Sequence, residues 1–243
     1  MMRSPELGEF AGTLTMMFLG DGIVAGVLLR RTKAEGAGWL AITTAWAFAV
    51  LSGIFTANLF GSRDAHLNPA ITLAFAVQTG DFHKLVPYAL AQTAGALCGA
   101  VLVWLHYLPH WAVTEDPALK LAVFTTGPAI RRLPANFLSE ALATCTLIVL
   151  LGAISSKLVL TTGAVAGLSP LLVSCVIWGI GLGLGPTTGY AINPARDLGP
   201  RIAHALLPIA GKGESDWAYA WVPVLGPCAG GIVSGLVLRW LHA

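Results

Sequence analysis

The side chains that could act on a solute sit in two octapeptides. "HLNPAITL" occupies 66–73 and "AINPARDL" occupies 191–198, so Asn-Pro-Ala is written at Asn68, Pro69, Ala70 and again 125 residues later at Asn193, Pro194, Ala195. Asparagine is a preferred N-cap, and proline suits the first helical position, where its missing N–H would have no partner anyway. Each tripeptide therefore predicts the start of a helix, with the Asn oxygen held by that start and its NH₂ donors free to meet a passing oxygen. Arg196 and Asp197 follow the second copy, and His66 precedes the first. Three carboxylates, Glu9, Asp21 and Glu140, interrupt otherwise apolar stretches.

Those stretches set the frame. The 243 residues are 56% hydrophobic and 11% charged, against roughly 25% charged in a soluble domain. Six runs, 6–29, 39–60, 84–106, 136–155, 164–184 and 217–241, are long and apolar enough to cross a hydrocarbon core as helices. Two more, 69–78 and 194–207, are too short and predict re-entrant half-helices. The first run follows five residues and has no short apolar region ending in a small-residue cleavage site, so it is read as a retained span. The net charge of +2 is spread over loops and ends, which gives nucleic acid no basic surface. Cys98, Cys145, Cys175 and Cys228 lie in separate apolar spans without metal or disulfide spacing and read as packed thiols.

The chain repeats itself. Glu9 and Glu140 are 131 residues apart, as are the Gly95-xxx-Gly99 and Gly226-xxx-Gly230 pairs. The expected organisation is one domain over 1–243, an all-α membrane protein of six transmembrane helices and two half-helices. Its halves span about 6–107 and 136–242, and three spans per half make the repeat inverted. In such a repeat two half-helix starts can meet at the midplane with their positive dipole ends converging. Those dipoles oppose cations and protons, while the backbone carbonyls of 62–67 and 187–192 offer acceptors. The small-xxx-small glycines are read as close helix packing. With the N-terminus inside, Arg3, Arg63, Lys84, Lys157 and Arg239 face seven outer Lys and Arg residues (Arg30, Arg31, Lys33, Lys120, Arg131, Arg132 and Lys212). The charge bias leaves orientation open.

Two Asn-Pro-Ala copies in an inverted repeat, with the "GEF" of span one, "AHLNPA" and "GPTTGYAINPARDLGPR", resemble the major intrinsic protein family, the aquaporins and glycerol facilitators, along the whole chain. The resemblance implies an outer constriction at Arg196 with Trp46, Tyr190 and the small residue Gly181. It places no histidine at the span-five position favoured by water-selective members. Asp197 and the Pro223-Val224 pair resemble the glycerol-conducting branch, whereas Tyr190 departs from its usual phenylalanine. Two aromatic faces and a guanidinium would suit a polyol, with its CH₂ edge on Trp46 and Tyr190 and its hydroxyls toward Arg196. Asp197 is expected to hold Arg196 and its loop, and His66 to brace its own loop.

The carboxylates admit two readings. Glu9 and Glu140 could couple protons, or accept N–H bonds from the re-entrant loops; duplicated residues fit a duplicated structural need. Asp21 has no twin, since Gly152 stands 131 positions on. It is expected in a polar vestibule or in packing. An enzyme finds little support: "GIGLGLG" at 179–185 lies in an apolar span, is followed by Pro186 and has no strand before it. The expected function is a passive channel for glycerol and other small neutral solutes, with some water. Alternatives are a water-selective or lactic acid, urea or ammonia channel, a proton-coupled transporter, or a structural role. No metal or cofactor is implied; a homotetramer in a lipid bilayer is, and the short loops suggest a bacterial inner membrane.

Overall fold

The computed structural model describes residues 3–156 and 168–242. Lys157 and the first four residues of the expected fifth span, 164–167, lie outside them. Ten α-helices occur among the described residues: α1 (Pro5–Leu28), α2 (Gly38–Phe60), α3 (Pro69–Thr79), α4 (Leu85–His106), α5 (Leu108–Val113), α6 (Pro117–Phe124), α7 (Leu133–Ser155), α8 (Leu168–Gly183), α9 (Pro194–Leu206) and α10 (Trp221–His242). A 3₁₀ turn covers Gly185–Thr187. Helices α1, α2, α4, α7 and α10 are long and apolar enough to cross a membrane, and α8 is a shorter apolar helix at the edge of the described residues.

Both half-helices begin where asparagine and proline place them. The Asn68 Oδ1 accepts from the Ala70 N–H at 2.9 Å, and the Asn193 Oδ1 accepts from Ala195 at 3.0 Å and from Arg196 at 3.3 Å. Gly80 in the left-handed region ends α3, while the Lys212 ammonium donates to the carbonyls of His204, Ala205 and Leu207 and so caps α9 against its negative end.

Glycine fixes how the spans approach. Helix α4 lies on α1, and a Cβ at Gly99 would stand 2.7 Å from the Leu14 carbonyl oxygen. Helix α10 lies on α7 in the corresponding way, with a Cβ at Gly230 reaching 3.0 Å from the Cys145 nitrogen. The half-helices cross over: α3 packs on α10, where a Cβ at Gly231 would meet the Ala70 carbonyl at 2.7 Å, and α9 packs on α4, where one at Gly199 would be 2.7 Å from the Ala96 Cβ. Gly99→Leu is expected to push α1 from α4 and to destabilise the fold by about 3 kcal/mol, the upper end of overpacking costs; a thermal melt in detergent reads it. Large apolar side chains such as Leu40, Phe48, Leu90, Leu142 and Trp240 point outward, as a hydrocarbon solvent allows.

Two expectations need correction. The apolar run places the start of the sixth span at 217, but 217–220 form successive turns after Asp216, whose φ is +46°, and α10 begins at Trp221. The connection 107–124 carries α5 and α6, which the apolar runs do not announce. Local signals nucleate these short helices. Pro109 sits in the first turn of α5, and Pro117 opens α6, where the Asp116 carboxylate accepts from the Ala118 N–H.

Candidate functional site: a lined cavity in the helix bundle

The loops entering the half-helices hold four of the six non-glycine residues with positive φ among the described residues. Ala65 and Leu67 have φ of +45° and +52°, and Tyr190 and Ile192, each 125 residues on, have +39° and +44°. Non-glycine residues there cost about 1–3 kcal/mol each unless the surroundings over-determine them. Two buried glutamates do so. Glu9 accepts from the His66 N–H (2.9 Å), the Leu67 N–H (2.7 Å), the Ser62 hydroxyl (2.6 Å) and the Gln92 amide (2.8 Å). Glu140 accepts from the Ala191 N–H (3.0 Å) and the Ile192 N–H (2.8 Å).

In a trans peptide the N–H and C=O point in opposite directions. With the N–H groups of His66, Leu67, Ala191 and Ile192 turned to the glutamates, the carbonyls of Ala65, His66, Tyr190 and Ala191 turn away from them, toward a cavity that these residues line. Within the acceptor line expected across 62–67 and 187–192, those four oxygens are the ones that the glutamates orient. His66 is fixed further by its Nδ1 against the Thr72 hydroxyl at 3.1 Å and by stacking on Phe75.

The two Asn side chains are cross-tied. The Asn68 Nδ2 donates to the Ile192 carbonyl and the Asn193 Nδ2 to the Leu67 carbonyl, both at 2.8 Å. One N–H of each amide is therefore spent on the opposite loop, and one remains, where the sequence suggested two.

The cavity measures about 370 Å³ and contains both Asn side chains in its wall. Trp46, Val50, Ile54 and Asn58 of α2 line it one turn apart, a stretch of about 18 Å at 1.5 Å per residue. Leu147, Leu151, Val173 and Ile177 continue this apolar side, while the strained loops supply the polar one.

Trp46, Tyr190 and Arg196 meet in the wall. The Arg196 guanidinium carbon lies 4.3 Å from the Trp46 ring centroid, so Arg196 covers part of the ring that was expected to be open. Its Nη1 donates to the Asp21 carboxylate at 3.2 Å and to the Phe124 carbonyl at 3.3 Å. Gly181 is near this cluster but is not among the lining residues. A Cβ there would be 2.9 Å from the Tyr190 Cζ and 3.0 Å from the Thr43 Cγ2, so Gly181 makes room for the Tyr190 ring rather than for a solute. Trp39 closes the far side: its Nε1 donates to the Gly181 carbonyl at 2.9 Å and its ring stands edge-on to Tyr190. The Tyr190 hydroxyl has no hydrogen-bond partner among the described residues.

Asp197 does not hold Arg196. It accepts from the Arg201 Nε at 2.7 Å and Nη2 at 3.0 Å, and from the Thr126 N–H and hydroxyl at 2.9 and 2.8 Å. The Arg201 Nη1 also donates to the carbonyls of Ser215 and Asp216. Arg201, Gln92 and Trp39 were missed by the sequence reading; of these only Arg201, four residues after Asp197, carried a local signal.

The family profile for major intrinsic proteins matches residues 3–238. This chain belongs to the major intrinsic protein family. It is 51% identical to glycerol uptake facilitator protein 3 of Lactiplantibacillus plantarum, over 99% of this chain and all of that one. It is 49% identical to a probable glycerol uptake facilitator protein of Thermotoga maritima, over 98% of this chain and 99% of the other. The aquaglyceroporin from Plasmodium falciparum superposes with a TM-score of 0.84 at 27% identity, covering 98% of this chain and 96% of that one. The chain is accordingly an integral membrane protein with the aquaporin fold, in a family of channels and transporters.

Proposed function

We propose that the chain is a passive channel for glycerol and other small neutral solutes, with some permeability to water. The observation that carries this reading is the continuous wall of the cavity: an apolar side from α2, α7 and α8, a polar side of strained loops, two Asn donors between, and Trp46, Tyr190 and Arg196 together. A polyol crossing it would keep its CH₂ groups on the apolar side and exchange water for carbonyl acceptors and amide donors. At the constriction, the Arg196 donors not bound to protein would meet its hydroxyls. The relatives named as glycerol uptake facilitators support the substrate. Glu9 and Glu140 have their oxygens engaged by the loops, which supports scaffolding over proton coupling. We further read the chain as one channel domain of inverted halves, 6–107 and 136–242, assembled as a homotetramer in a bacterial inner membrane.

Stopped-flow light scattering of proteoliposomes tests this. Shrinkage in sucrose and fast re-swelling in glycerol, unaffected by a proton gradient, are expected. Shrinkage without glycerol re-swelling would instead favour a water channel, the reading suggested by Arg196 lying over Trp46. Gly181→Ala is expected to drive the Tyr190 ring into the cavity and to lower glycerol flux several-fold, with a smaller loss for water. Equal losses for both solutes would argue against Tyr190 as a size-limiting wall.

A further inference from the structure

Asp21 is fully buried, and among the described residues it has one hydrogen-bond partner, Arg196. An unpaired carboxylate in such a place is strongly unfavourable, so its presence on α1 is explained by the guanidinium it faces. The two residues also occur together and only once. The position 125 residues before Arg196 is Ile71, and the position 131 residues after Asp21 is Gly152. Glu9 and Glu140 belong to the duplicated scaffold; the Asp21–Arg196 pair belongs to one half-helix alone.

Gly20, the residue before Asp21, serves the same place. A Cβ at Gly20 would stand 2.6 Å from the Trp46 Cζ2, so the absence of a side chain lets the Trp46 ring lie against the α1 backbone. Arg196 then stacks over that ring. Its Nη1 is held between the Asp21 carboxylate and the Phe124 carbonyl, while Nε and Nη2 donate to no protein acceptor among the described residues. Gly20 thereby seats one aromatic wall, and Asp21 supplies the counter-charge of the cationic one.

We propose that Asp21 is a specificity-determining positioning residue: it locks Arg196 over Trp46 and cancels its charge, so that the constriction offers N–H donors to a neutral solute without attracting anions. Rings of uncompensated arginine draw anions into pores, and a guanidinium tethered at one nitrogen by a buried carboxylate cannot swing aside to admit a wider solute. Asp21 itself is absent from the cavity wall, so it acts through Arg196. The inference rests on the proposed constriction.

The test compares wild type, Asp21→Asn, Arg196→Met and the double variant in proteoliposomes, reading re-swelling in glycerol and in ribitol, and nitrate entry in potassium nitrate with valinomycin. Asp21→Asn is expected to lower the glycerol-to-ribitol ratio at least about threefold and to open nitrate entry, whereas in the Arg196→Met background it changes the ratio by less than about 1.5-fold. Detergent melts accompany the fluxes: each single variant is expected to melt lower than wild type, and the double variant to recover part of the loss. A wild-type ratio and no nitrate entry in folded Asp21→Asn, or equal changes in both backgrounds, would overturn the proposal. If Arg196→Met alone leaves the ratio at the wild-type value, the constriction reading itself fails. If Arg196→Met shifts the ratio while Asp21→Asn is silent, only the role of Asp21 does.

Discussion

Asp197→Ala is expected to lower the stability of the channel by about 3–5 kcal/mol, because it strands the buried Arg201 guanidinium. Asp197 and Arg201 are both inaccessible to solvent. Their two-point pair, at 2.7 and 3.0 Å, ties α9 to the Thr126 segment and, through the Arg201 Nη1, to the Ser215 and Asp216 carbonyls before α10. Removing the carboxylate therefore deprives Arg201 and the Thr126 N–H and hydroxyl of their common acceptor, and loosens the guanidinium that holds the Ser215 and Asp216 carbonyls. A fall of roughly 10 °C in the detergent melting temperature is the expected reading for a chain of this size. Asp197→Ala/Arg201→Met should regain much of it, since replacing a buried pair is milder than breaking one. A single variant that melts within about 2 °C of wild type would show that the pair is offset by solvent or relaxation. Had Asp197 held Arg196, as the sequence suggested, this variant would chiefly alter selectivity; the geometry makes it chiefly a stability variant.

The difference between those two expectations shows what a sequence can carry. The half-helix starts were legible because Asn-Pro encodes a cap within three residues, and the Ala70 and Ala195 N–H groups match that reading atom by atom. Glu9 and Glu140 were legible because duplication removed the ambiguity that a lone buried carboxylate would have left. Asp21 and Arg196 are 175 residues apart and share no local pattern. The available sign was a double asymmetry, Gly152 and Ile71 at the equivalent places, and it becomes meaningful only once the two are known to touch. Gly181 illustrates the opposite limit. A small residue beside a pore suggests width, but the space its hydrogen leaves is taken by the Tyr190 ring. The turns at 217–220 escape a hydropathy reading because Trp217 and Tyr219 are apolar, and hydropathy does not register the positive φ of Asp216.

Arg196→Ala is expected to strip the constriction of its guanidinium donors as well as to widen it. The guanidinium now covers part of Trp46, and the residue is 7% exposed. Its loss uncovers the ring and leaves the Asp21 carboxyl with no partner among the described residues, and a carboxyl so buried is stable there only if it holds a proton. Ribitol flux should rise toward that of glycerol, and leakage of potassium or protons should increase about tenfold, equivalent to roughly 1.4 kcal/mol of barrier. The leak is bounded because the positive ends of α3 and α9, cross-tied through Asn68 and Asn193, still oppose cations deeper in the cavity. The same variant should melt lower, since a buried charge has lost its partner. Adding Asp21→Asn should then recover part of the lost melting temperature while leaving the wider solute range, because one change removes the stranded carboxyl and the other has already removed the obstruction. Unchanged solute and ion selectivity in a folded Arg196→Ala protein would remove Arg196 from the constriction altogether and leave the two Asn donors as the principal filter.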